Sequence, residues 1–167
     1  MFGSLALPVT NVIRMLVVRV ACQDAEIPCS ESELAASTFG DTNSITAVFK
    51  ESSYGKWRVV GEVVSVRYSG PKGALHVAAA GRSDWFQDNI DPLVSSLGRE
   101  TGSYQKILSV LPAGVSVWSG NFDIGKPRLY TTDGARPKVA AHELVHTFGM
   151  QHASTAAPLA AHEYGEK

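Results

Sequence analysis

The chain has 167 residues, of which 44% are hydrophobic and 19% charged, with a formal net charge of −1. That is the size of one ordinary domain, able to bury a core without metal or disulfide staples. A near-neutral balance with no long run of either sign argues against the clustered basic face of a nucleic-acid binder, and no segment reaches the roughly 18 uninterrupted apolar residues of a membrane span.

The opening stretch MFGSLALPVTNVIRMLVVRV is apolar but makes a poor secretory signal. No basic residue precedes its apolar part, and Pro8, Asn11 and Arg14 interrupt it. Either a targeting segment has been lost or the chain begins inside a longer protein. Residues 13–20 (IRMLVVRV) are β-branched and nearly continuous, which suits a buried central strand. Cys22 and Cys29 are spaced for a small disulfide-closed loop, and equally for two reduced thiols near a strand end.

Ser30 and Glu33 form a capping box opening a short helix through Ser37. A second helix is expected over 44–53, capped by Asn43 or Thr42. Residues 57–68 (WRVVGEVVSVRY) are strand-like, with a glycine that suggests a bulge, and 74–80 suggests another short strand. Residues 83–97 look helical, with Pro92 either kinking the helix or restarting it after Asp91. Residues 106–111 form a good strand, 115–118 and 128–131 weaker ones, and a last helix spans 137–148. Alternating strands and helices imply an α/β (α+β) domain with a mixed sheet.

The chemistry is concentrated in that last helix, in His142-Glu143-Leu144-Val145-His146-Thr147-Phe148-Gly149-Met150-Gln151-His152. Positions four apart lie on one helical face, one turn apart. His142 and His146 can therefore share a metal ion, and neutral imidazole nitrogen binds Zn²⁺ at about 2.0–2.1 Å. Glu143, beside the first ligand, is placed to act on a metal-bound water. Zinc would acidify that water and polarise the scissile carbonyl, while the carboxylate takes the proton and passes it to the leaving amine. A continuous helix would carry His152 away from the metal. Gly149 tolerates a left-handed conformation, so it can end the helix and turn the chain back. Three histidines and one open position make a catalytic rather than a structural zinc pattern.

The motif HExxHxxGxxH, as it stands from His142 to His152, resembles the metzincin clan of zinc proteases. That resemblance implies His142, His146 and His152 as ligands and Glu143 as general base. It also implies a twisted mixed sheet with an edge strand above a cleft and the active-site helix beneath it. Within the clan, MLVVRVACQD, SITAVFKESSYGKWRV and HELVHTFGMQHA are similar to the gametolysin (autolysin) family. Members of that family are extracellular proteases, best known from green algae, that degrade cell-wall glycoproteins.

One departure bears on activity. Metzincins carry a methionine-containing turn downstream of the third histidine, as a floor under the zinc. Fifteen residues follow His152 and none is methionine; residues 163–167 (EYGEK) resemble the approach to that turn. Met150 is not a substitute. The expectation is thus one metalloprotease catalytic domain over 1–167, incomplete after 167.

Other residues carry weaker readings. His162 is read as an exposed tail histidine rather than a substitute ligand, and His76 as a half-buried strand histidine. Tyr164 is a candidate for stabilising an oxyanion. Trp57, Trp85 and Trp118 are read as core or rim packing. Val115 and the residues after it are read as the edge strand that pairs with an extended substrate. The function expected is an extracellular, zinc-dependent endopeptidase acting on protein or peptide substrates, cell-wall glycoprotein among them. The alternative is a truncated or inactive metzincin-like module that binds zinc without turnover.

Overall fold

The computed structural model describes residues 11–78, 83–115, 120–122, 127–132 and 136–150. The strands are β1 (Asn11–Ala21), β2 (Trp57–Arg67), β3 (Lys106–Leu111), β4 (Gly120–Phe122) and β5 (Arg128–Thr132). The helices are α1 (Glu31–Phe39), α2 (Ile45–Ser52), α3 (Lys72–Ala78), α4 (Ser83–Asn89), α5 (Asp91–Ser96) and α6 (Pro137–His146). The strands form one sheet in the order β2-β1-β3-β5-β4. Neighbours among β2, β1, β3 and β5 pair in parallel, and β4 pairs antiparallel to β5. The mixed α/β architecture expected from the alternation is therefore present. Among the described residues no helix is long and apolar enough to cross a membrane.

The layering follows from the two-residue period of β1. Ile13, Met15 and Val17 point to one face and Leu16, Val18 and Val20 to the other, all six almost fully buried. The first face packs with Leu34 of α1, Ile45 of α2 and Ala140, Ala141 and Leu144 of α6. The second packs with Leu75 of α3, Phe86 of α4 and Val94 of α5. A strand buried on both faces must be apolar throughout, which is why residues 13–20 are legible as central.

Several elements start where local chemistry dictates. Ser30 caps α1: its side chain accepts from the Glu33 N–H while Glu33 accepts from the Ser30 N–H, the reciprocal box expected. The cap of α2 is Ser44, whose hydroxyl accepts from the Ala47 N–H at 2.9 Å, and not Asn43 or Thr42. Asn43 instead takes a left-handed φ of 49° in the approach.

Gly61 marks no bulge, since β1 and β2 pair in unbroken register around it. Its Cβ would lie 1.7 Å from the Met15 carbonyl oxygen, so the lack of a side chain permits that close approach. Residues 74–78 of the strand expected over 74–80 lie instead in the helix α3, while 79 and 80 lie outside the described residues; His76 is exposed on α3 rather than half-buried in a sheet. Apolar runs without clear periodicity do not separate strand from helix, and alanine favours the latter. The region 83–97 is two helices, restarting at Asp91 with Pro92 in the first turn, where a missing N–H costs nothing.

The two thiols are not bonded to each other. Cys22 is buried, and its thiol donates to the Asp24 carboxylate at 3.5 Å; burial first, then that bond, pushes its pKa up.

Candidate metal centre

α6 lies on the sheet face shared with α1 and α2, in contact with β4, β5 and α2. Pro137 occupies its first turn, as expected, with Arg136 as the flanking residue. Ala140, Ala141 and Leu144 turn into the core, and the two alanines let the helix lie close to the strands. That seating leaves His142 exposed while His146, four residues on, is only 3% exposed.

The two imidazoles meet edge to face, with ring centroids 4.6 Å apart. Their Nε2 atoms are 3.0 Å apart. On the opposite side of the His146 ring, Nδ1 lies 2.6 Å from the Met150 carbonyl oxygen. A carbonyl only accepts, so Nδ1 carries the proton and a neutral ring keeps the Nε2 lone pair. Two bare lone pairs do not rest at 3.0 Å. Either a proton on His142 Nε2 or a cation belongs between them. Two nitrogens bound to one tetrahedral zinc at about 2.0–2.1 Å stand about 3.3–3.4 Å apart. The observed separation is a few tenths of an ångström shorter than that of such a ligand pair.

Beyond His146 the helix tightens and stops. The Thr147 N–H is shared between the Glu143 and Leu144 carbonyls at 3.3 and 3.1 Å. Phe148 donates to Val145 and Gly149 to His146, at 3.1 and 2.8 Å. Thr147 is buried, and its hydroxyl donates to the Leu144 carbonyl at 2.7 Å. Gly149 then takes φ +86°, the left-handed turn expected of it. A Cβ there would meet nothing within 4 Å, so the backbone conformation, not space, is what favours glycine. The regular helix therefore ends at His146, two residues before Phe148, its expected last residue.

Glu143 is 9% exposed, on the helix beside His142 and about 100° around the axis from it. The third expected ligand, His152, lies outside the described residues, as do His162, Tyr164 and Trp118. Among the described residues no group of three His, Cys, Asp or Glu side chains is placed to hold a metal ion. His142 and His146 are the pair brought together.

The edge of the sheet nearest α6 is β4, which follows the 115–118 segment. Val115 itself is a buried bend residue and not a strand, and 116–118 lie outside the described residues. Trp57 packs edge-on against Phe148 with centroids 6.2 Å apart, at the rim of an apolar cavity of about 400 Å³ between α2, β2 and the end of α6. Trp85 packs between Tyr68 and Phe86.

Two participants were missing from the sequence reading. One is the Met150 backbone, whose carbonyl fixes the His146 tautomer while its side chain stays exposed. The other is Lys106, whose ammonium donates to the Thr147 carbonyl at 3.0 Å. The available signal for it was a lysine opening a strand that is otherwise apolar. No protein-family model matches the chain, and no curated protein matches it.

Proposed function

We propose that the chain is a zinc-dependent endopeptidase domain of metzincin type, nearest in character to the gametolysin family, acting on extracellular or cell-wall protein. The observation that carries this reading is the facing Nε2 pair of His142 and His146, with the His146 tautomer fixed from behind by the Met150 carbonyl. A carbonyl on the far ring nitrogen is the usual outer support of a metal-binding imidazole. The left-handed Gly149 supports the return of the chain toward that pair, with His152 as third ligand.

When bound, zinc supplies a Lewis acid that brings water's proton within reach of a carboxylate near neutral pH. The chain's own residues then divide the work. His142, His146 and His152 would hold the ion through neutral imidazole nitrogens. A Glu143 carboxylate oxygen takes the proton of the attacking water and returns it to the leaving amide nitrogen. The antiparallel edge β4, beside α6, supports binding of an extended peptide as an added strand.

The test compares wild type with Glu143→Ala on a quenched peptide or casein, with and without a chelator, together with metal content. Wild type should cleave only when zinc-loaded. Glu143→Ala should keep about one zinc and lose turnover by at least the 10²–10⁴-fold expected of a general base. Hydrolysis that survives chelation, or that persists in Glu143→Ala, would sink the proposal. A wild type that binds zinc without cleaving any peptide would favour the non-catalytic module instead.

A further inference from the structure

Lys106 is the first residue of β3, a strand whose six residues are all buried. It is 8% exposed. Among the described residues its ammonium has two partners: the Thr147 carbonyl at 3.0 Å and the face of the Phe148 ring, 4.3 Å from its centroid. None of the described ion pairs includes it. Burial alone pushes its pKa down, so the charge is held there against desolvation.

An apolar side chain of similar length would fill this position without that desolvation, and would withdraw the donor from the Thr147 carbonyl. Both partners of Lys106 belong to one short segment, the residues just past the metal-site helix. Thr147 caps α6, and its carbonyl is among the last, partly negative groups of the helix, where a cation is favoured.

The Thr147, Phe148 and Gly149 N–H groups donate to the last turn of α6. To these bonds Lys106 adds a tie from the Thr147 carbonyl to β3, and three residues later the Met150 carbonyl accepts from His146 Nδ1. Gly149, between them, takes φ +86°, a conformation open to glycine. Releasing the Lys106 tie would loosen the Thr147 end of the turn, and through it the placing of the Met150 carbonyl beyond Gly149. The His146 ring would then lose the bond that keeps Nε2 toward His142. In sequence, Met150 is also the residue from which the chain runs on to His152.

We infer that Lys106 is a positioning residue of the zinc site, fixing the 147–150 turn from β3 so that His146 keeps its ligand tautomer and orientation. This rests on the zinc reading above. Loss of an outer-shell partner typically weakens metal binding by about 10–100-fold.

The experiment measures the zinc dissociation constant of the full chain by competition with a chromophoric chelator. Wild type, Lys106→Met, Lys106→Arg and Val94→Ala are compared, with urea midpoints of the metal-free proteins alongside. Lys106→Met should bind zinc about 10–100-fold more weakly while its metal-free midpoint stays near wild type. Lys106→Arg, which keeps a cationic donor, should recover most of the affinity. Val94→Ala, a core truncation on the other sheet face, should lose midpoint and keep affinity. Lys106→Gln is held to the same threshold if Lys106→Met does not fold. Wild-type affinity in Lys106→Met, or a loss of affinity in Val94→Ala matching it, overturns the inference and leaves the zinc reading standing. A wild type that takes up no zinc overturns both.

Discussion

Two cations lie buried at the same end of neighbouring parallel strands, on opposite faces of the sheet. Arg128 opens β5 and Lys106 opens β3, at 5% and 8% exposure. Each also stands over an aromatic ring, Phe86 at 5.2 Å for the arginine and Phe148 at 4.3 Å for the lysine. Their polar partners differ. Arg128 pairs with the Asp91 carboxylate at 2.5 Å, reaches Ser109 at 3.4 Å, and its Asp91 also accepts from Thr101. Lys106 donates to a helix-terminal carbonyl. The first charge is closed within a network joining β5 to the start of α5. The second is spent on the end of the helix that carries His142 and His146. Equal burial therefore does not mean equal purpose, and the partner shows where the consequences of a mutation fall.

The largest effect that sharpens this contrast is on stability. Arg128→Met leaves the half-buried Asp91 carboxylate without its cation, and breaking a pair costs up to about 3–5 kcal/mol when both members are fully buried. Urea denaturation of the metal-free protein should show that loss, while the zinc dissociation constant stays at the wild-type value. Loss of zinc affinity comparable to that of Lys106→Met would erase the distinction between the two cations. A smaller effect comes from removing both members. Arg128→Met combined with Asp91→Leu should be more stable than either single variant, because no uncompensated charge remains. A double variant no better than the singles would show that the pair is not the unit that matters.

The same contrast explains what could be read in the sequence. The capping box of Ser30 and Glu33, the restart at Pro92 and the pairing of His142 with His146 all depend on residues within one or two turns. Local spacing therefore displays them. The left-handed Gly149 is legible for the same reason. The Lys106–Thr147 bond spans 41 residues and the Arg128–Asp91 bond spans 37, and no local period marks either. Residues 74–78 are helix where a strand is expected, because a run of alanine and small apolar residues carries no two-residue alternation to test. Cys22 and Cys29 were undecidable because a disulfide is a matter of three-dimensional distance and direction, which spacing does not supply.

The smallest effect is a pH dependence that Lys106 should show. Burial lowers its pKa in the folded chain below the ordinary 10.5. Between the folded and unfolded values the unfolded chain binds more protons, so stability on this account rises with pH through that window. Below it, both states carry the charge and the folded state bears the full desolvation cost. Tyr104 acts in the opposite sense: burial and its bond to Glu62 raise its pKa above 10.0, so its contribution is lost as pH climbs past that value. The lysine is isolated by subtraction. Urea midpoints of wild type and Lys106→Met are compared from pH 7 to pH 10, spanning the range below the usual lysine value of about 10.4. Wild type should gain on Lys106→Met as pH rises, since only it sheds a buried charge. Arg128→Met should run parallel to wild type, because neither chain differs from the other in a group that titrates there. A constant gap between wild type and Lys106→Met would mean that the ammonium is not desolvated. Lys106 would then not be a charge held in place for the sake of the α6 terminus.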